Sequence, residues 1–204
     1  MRRRSSLTLA SFSLAAGAVS GFSMEFAGRK LARRPQAEQQ PLATKAGGDI
    51  LGEFTNEHDL SPLERIAMTC SGNLQTTVSA YHTKPVEVFV IKNAPLPTET
   101  DCDGRTPVAM WDRVVVMKTK GKVFCTASTI VRVYDEALAE VVGSHDVGIG
   151  QMLRLYQLPP TFALHDCGRL EDGALWRYYS MDCTDKIKFD IIEEFSKDCW
   201  DLQP

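Results

Sequence analysis

Arg113 and Glu193 are charged residues standing where the local pattern calls for apolar ones. Along 187–195, Ile187, Phe189, Ile191, Glu193 and Phe195 alternate with Lys188, Asp190, Ile192 and Glu194. A strand sends successive side chains to opposite faces, so the first set is an apolar face holding one carboxylate. Along 109–118 the same count groups Trp111, Arg113, Val115 and Met117, a face apolar but for one guanidinium. A charge on an apolar face is costly unless it meets a partner or changes its protonation. Two kinds of chemistry satisfy that demand. One is structural: an Arg113–Glu193 ion pair, or an arginine stem that carries its head out to water. The other is functional: an anion-binding arginine facing a protonated glutamic acid inside a closed pocket.

The elements that must hold these residues are marked by clear punctuation. Ser61-Pro62-Leu63-Glu64 is a capping box with proline at the first helical position, so a helix starts there, with Leu63, Ile66, Ala67 and Cys70 as its apolar stripe. Leu74, Val78 and Tyr81 give a second short helix, which Pro85 ends. Residues 86–91 read as a strand, followed by an acidic, proline-rich loop over 95–107. In that loop Asp101 and Asp103 read as solvated carboxylates, the alternative being a metal site. The runs 109–118 and 122–133 flank Thr119-Lys120-Gly121 as a hairpin. Two short helices, 135–142 and 146–156, each begin at an aspartate. A second hairpin joins 175–183 to 187–195 across Thr184-Asp185-Lys186. Hairpins in place of alternating βα units imply an α+β domain, an antiparallel β-sheet with helices packed on one face. In that sheet Trp176, Tyr178 and Tyr179 read as packing residues.

Charge separates the chain into two parts. The 204 residues carry a net charge of −3, yet residues 1–48 hold eight Lys or Arg against two acids, and the rest hold 15 against 24. An acidic body repels phosphate, which argues against nucleic acid as a partner. No run beyond residue 30 is long and apolar enough for an integral membrane span. Residues 1–48 read as a targeting leader and linker, and 49–204 as the folded domain. Arg2-Arg3-Arg4 precede the uncharged stretch from Leu7 to Phe22, as in a signal peptide. Arg29, Lys30, Arg33 and Arg34 then form a second basic, acid-poor segment. A secretory signal explains the first part, and a mitochondrial presequence explains the arginines. A two-part leader of the kind that directs proteins to plastids explains both, so a plastid is the expected destination. The six cysteines have no metal-finger spacing, and four lie in apolar patterns, which suits reduced thiols in a core. The four histidines lack ligand spacing, so no metal and no other cofactor is expected.

The order of motifs resembles the chorismate lyase family over roughly residues 60–197. Leu60-Ser61-Pro62-Leu63-Glu64-Arg65-Ile66 through Gly72-Asn73-Leu74 is similar to the family's opening helix and turn. Trp111-Asp112-Arg113-Val114-Val115-Val116 and Ala127-Ser128-Thr129-Ile130 resemble two of its strands. Gly148-Ile149-Gly150-Gln151-Met152-Leu153 resembles its Gly-x-x-Leu segment, and Arg177-Tyr178-Tyr179 with Ile192-Glu193-Glu194-Phe195 its closing strands. The resemblance implies that Arg113 binds a substrate carboxylate and that Glu193 meets the oxygen being cleaved or released. It also implies that Ile149 lines the pocket, with Leu74 and Gly150 beside it. His165 stands in the segment where the family carries an arginine, and either contacts a carboxylate in its place or is a surface or capping histidine.

The implied activity is elimination of pyruvate from chorismate, leaving 4-hydroxybenzoate. It needs no cofactor, because loss of the side chain aromatises the ring. Arg113 would orient the dianion and Glu193 would supply a proton, its pKa raised by the apolar face. The expected partner is therefore a small molecule, chorismate or a related carboxylated aromatic, taken up by a monomer. Two other functions fit the same residues. One is a non-catalytic binding domain of this fold, and the other is a structural subunit of an organellar complex.

Overall fold

The computed structural model describes residues 60–202 apart from 72–73, 145–147 and 184, together with the backbone of 25–26 and 29–30. The targeting reading of residues 1–48 thus lies almost wholly outside the described residues. Within the first of two compact units, residues 1–39, Glu25–Phe26 (β1) and Arg29–Lys30 (β2) pair antiparallel. The second unit holds the elements that follow.

The capping box forms as its residues dictate. Helix α1 spans Pro62–Thr69; the Ser61 hydroxyl accepts from the Glu64 N–H, and the Glu64 carboxylate accepts from the Ser61 N–H. Both oxygens of Glu64 also accept from Arg169, which ties the start of α1 to a distant strand. Helix α2 spans Leu74–His82. Six strands then build one sheet: β3 (Glu87–Leu96), β4 (Ala109–Thr119), β5 (Lys122–Val133), β6 (Thr161–Arg169), β7 (Leu175–Cys183) and β8 (Ile187–Phe195). Helices α3 (Glu136–Gly143) and α4 (Ile149–Leu155) connect β5 to β6. Every neighbouring pair in the sheet is antiparallel, and the order is β3-β4-β5-β8-β7-β6. The β4–β5 turn places Lys120 at φ 51° and Gly121 at φ 73°. Positive φ at both central residues matches the twist of the flanking strands.

The core lies on one face of this sheet. Met117, Val131, Val133, Ile187, Phe189, Ile191, Phe195, Leu175 and Met181 point from the strands into the same cluster as Ala67, Met68, Leu74, Val78, Leu138, Val142, Met152 and Leu153 from the four helices. The opposite face carries ion pairs such as Arg132–Asp190 and Lys92–Asp112. The architecture is therefore α+β, an antiparallel sheet with its helices sharing one core. Among the described residues no helix is long and apolar enough to cross a membrane. All six cysteines are free thiols, and Cys125, Cys167, Cys183 and Cys199 are buried.

Three boundaries differ from the expected ones. Strand β3 runs on through Asn93, Ala94 and Pro95, which pair with Arg113, Asp112 and Trp111. Proline lacks an N–H to donate, but an edge strand tolerates it. Strand β6 occupies residues that carry no strand signal. Helix α4 begins at Ile149 with Gly148 as its cap, later than an aspartate cap at 146 would place it.

Candidate functional site

Glu193 lies on the core-facing side of β8, 5% exposed, in register with Ala127 on β5 and Arg177 on β7. Its partner is Arg177. The Arg177 Nε donates to Glu193 Oε2 at 2.7 Å, and the Tyr179 hydroxyl donates to Oε1 at 3.0 Å. Arg177 is fully buried, and its Nη1 donates to the carbonyls of Ala67 (2.7 Å), Met68 (3.1 Å) and Cys70 (2.8 Å). A helix leaves its last carbonyls without intrahelical donors, so one guanidinium both caps α1 and neutralises Glu193. Burial opposes the charge on Arg177, yet Glu193 raises its pKa above the ordinary arginine value. Burial and the adjacent Glu193 also push the Tyr179 phenol well above its usual range, so Tyr179 is a neutral donor.

These residues form part of the wall of a cavity of about 590 Å³, within the ~300–1,000 Å³ usual for small-molecule sites. The sheet supplies Val115, Met117, Ala127, Thr129, Ile191 and Met181 beside Glu193, Arg177 and Tyr179. Helix α2 supplies Leu74, Gln75 and Thr76, and α4 with its following turn supplies Ile149, Gly150, Leu153, Arg154 and the Pro159-Pro160 pair. Among the described residues the charged side chains in that wall are Arg154, Arg177 and Glu193. Among the described residues no cluster of three or more His, Cys, Asp or Glu is placed to hold a metal ion.

Four of the residues singled out in the sequence, Leu74, Ile149, Gly150 and Glu193, come together around this cavity. Arg113 and His165 are not among its lining residues. Arg113 is 2% exposed on the core-facing side of β4, in the row of Asn93 and Thr129, and burial lowers its pKa. A direct Arg113–Glu193 ion pair does not form. Strand β5 separates β4 from β8, and two strand spacings are about 9–10 Å, whereas Arg177 is directly opposite Glu193. His165 falls at an irregularity of register between Leu164 and Asp166. Its Nε2 lies 2.7 Å from Ser180 Oγ, and its ring lies 4.9 Å from that of Tyr178. Both partners alternate with the cavity-lining Tyr179 and Met181, so His165 belongs to the sheet's other face.

Three lining residues escape a reading centred on Arg113. Period-two counting over 175–183 puts Arg177 and Tyr179 with Leu175 and Met181, so their inward direction is legible, and Tyr179 has a polar role beyond packing. Arg154 has no such signal: it is an exposed arginine on a short helix. No protein-family model matches the chain, and comparison with curated proteins finds no match.

Proposed function

We propose that the cavity takes a small carboxylated ring compound and that the domain is a chorismate lyase-like enzyme, releasing pyruvate and leaving 4-hydroxybenzoate. The observation that carries this reading is Glu193: a buried carboxylate with both oxygens held, on the wall of an otherwise mainly apolar cavity. In the elimination, the ether bond to the enolpyruvyl group breaks. The hydrogen on the neighbouring hydroxyl-bearing carbon leaves as a proton, and the ring becomes aromatic. The enolpyruvyl group leaves as the enolate, which gains one proton at carbon to become pyruvate. One proton leaves and one is added, so a single carboxylate can take the first and deliver the second. The Arg177 and Tyr179 donors hold the Glu193 carboxyl in place on the cavity wall, where it would serve as the proton carrier for both transfers. Tyr179, held neutral beside it, lies within the same hydrogen-bond network. The remaining apolar wall would exclude water and hold the ring in place.

Binding without turnover is the second reading, and the Arg177 contact favours it, because one oxygen of Glu193 is already engaged at 2.7 Å within the protein. Incubating the full chain with chorismate and following pyruvate and 4-hydroxybenzoate separates the two. Stoichiometric release of both products, lost in Glu193→Gln, supports the lyase. Saturable binding with no pyruvate supports the binding domain. A plastid address for residues 1–48 accompanies the lyase reading, and a fluorescent fusion of those residues in an algal host tests it; a diffuse cytosolic signal counts against it.

A further inference from the structure

Arg113 is the arginine that the family resemblance assigns to the ligand carboxylate, but the charges in the cavity wall direct an anion elsewhere. Of the three charged lining residues among the described ones, Arg177 and Glu193 neutralise each other at 2.7 Å, and Arg177 also faces three backbone carbonyls. A carboxylate brought to that end meets Glu193 as a like charge in a water-poor setting, where the repulsion is strongest. The third, Arg154, is exposed while lining the cavity, which places it at the rim. Its Nε donates to the Gly150 carbonyl at 3.1 Å, one turn back along α4. That bond anchors the stem, and among the described residues the two terminal amino groups have no acceptor. A guanidinium held by one nitrogen and open at the other two can receive a carboxylate through parallel hydrogen bonds.

We propose that Arg154 is the residue that receives the ligand's carboxylate at the cavity rim, with the ligand's hydroxyl directed inward to Arg177 and Glu193. This rests on reading the cavity as a ligand site, and it makes the preferred ligand an acid whose charged and neutral oxygen groups lie at opposite ends. Arg154 is then a specificity residue, and its positive charge at the mouth draws anions toward the site.

The test compares 4-hydroxybenzoate with its uncharged isostere 4-hydroxybenzamide, binding to the full chain and to Arg154→Ala, Arg154→Lys and Arg154→Glu. Arg154→Ala should weaken the acid by roughly 10- to 100-fold, the range for losing a charged hydrogen bond. It should change the amide by less than about threefold, since a neutral group loses no ion pair. Arg154→Lys should recover part of the loss, and Arg154→Glu should invert the preference toward the amide. Equal losses for acid and amide would overturn the inference, as would undiminished acid binding in Arg154→Ala, or an acid that fails to bind the unaltered chain while the amide binds. Failure of both compounds to bind would overturn it together with the ligand-site reading. Arg154-dependent acid binding without pyruvate release from chorismate would uphold the inference and remove the lyase.

Discussion

Strand β8 carries two charged clusters on its opposite faces, and they are built in different ways. On the core side, Glu193, Arg177 and Tyr179 are each at most 5% exposed and bonded to one another and to the end of α1. On the outer side, Lys188 reaches Asp101, Asp103 and Asp182 at the sheet surface, with Asp101 and Asp182 at 3.5 and 3.6 Å. Asp101 also accepts from the Tyr134 hydroxyl and from the backbone N–H groups of Asp103 and Arg105, which fixes the acidic loop against the sheet. Asp101 and Asp103 thus serve as loop anchors. The inner cluster has few members, and each depends on the others for its charge. The outer one spreads its charge over three carboxylates, of which Asp103 and Asp182 are within reach of water while the Asp101 side chain is covered. The number of alternative partners therefore decides which cluster punishes the loss of a single one.

The largest expected effect comes from leaving one inner charge alone. Arg177→Ala strands Glu193 and three carbonyls, and breaking a buried pair in this way costs ~3–5 kcal/mol. Urea unfolding of the full chain should show that loss. The double variant Arg177→Met with Glu193→Leu should regain much of it, because no uncompensated charge remains. A loss under about 1 kcal/mol in the single variant, as at an exposed pair, would mean that water reaches the cluster and that the contrast between the faces is false. Glu193→Gln is next. It keeps shape and an acceptor but removes the transferable proton, so lyase turnover should fall ~10²–10⁴-fold. Stability should fall by ~1–3 kcal/mol, because Arg177 keeps a neutral acceptor in place of its counter-ion. Turnover that survives intact would assign the carboxylate a purely structural role.

The inner cluster also marks where local sequence pattern stops being informative. Alternation alone turns Glu193, Arg113, Arg177 and Tyr179 toward the core, because period two is a property of each strand by itself. Which arginine meets Glu193 depends on β8 lying between β5 and β7, an arrangement of long-range pairings that no short motif encodes. The hairpins 109–133 and 175–195 are legible because strong alternation meets turn residues in each. Strand β6 is hidden because Pro159-Pro160 precede it, Gly168 lies within it, and the irregularity at His165 breaks its alternation. The cavity draws on α2, α4 and five strands, so Leu74, Ile149 and Gly150 could be singled out through the family resemblance but not through spacing. Arg154 carries no mark of its place at the rim, since an exposed helical arginine is ordinary in sequence.

Tyr179→Phe sharpens the comparison from the other direction. It removes one hydroxyl and leaves Glu193 Oε1 without that donor, while Arg177 stays in place. The expected cost is ~1–2 kcal/mol, between a typical net hydrogen bond and a buried unsatisfied acceptor. Because the ion pair survives, the loss should depend little on salt. A strong salt dependence of that loss would indicate that the inner cluster is solvated like the outer one.

The smallest effect at neutral pH belongs to the outer face, and acid should reveal it. Burial raises the pKa of Asp101, but hydrogen bonds from Tyr134 and the backbone of Arg105 and Asp103, together with Lys188, outweigh it and hold the carboxyl at about 2. Its ordinary value is 3.8, so the folded state favours the ionised form relative to the unfolded chain. The resulting stability is fully present above the unfolded value and is lost as the pH falls through about 2. Asp101→Asn abolishes that titration. The difference in urea midpoint between the unaltered chain and the variant should therefore be constant from neutral pH down to about 5, then shrink toward about 2. Added salt should shrink it as well, since Asp103 and Asp182, which share Lys188 with Asp101, are within reach of counter-ions. A difference that holds at every pH would mean that Asp101 contributes through neutral hydrogen bonds alone. The outer cluster would then differ from the inner one in kind as well as in exposure.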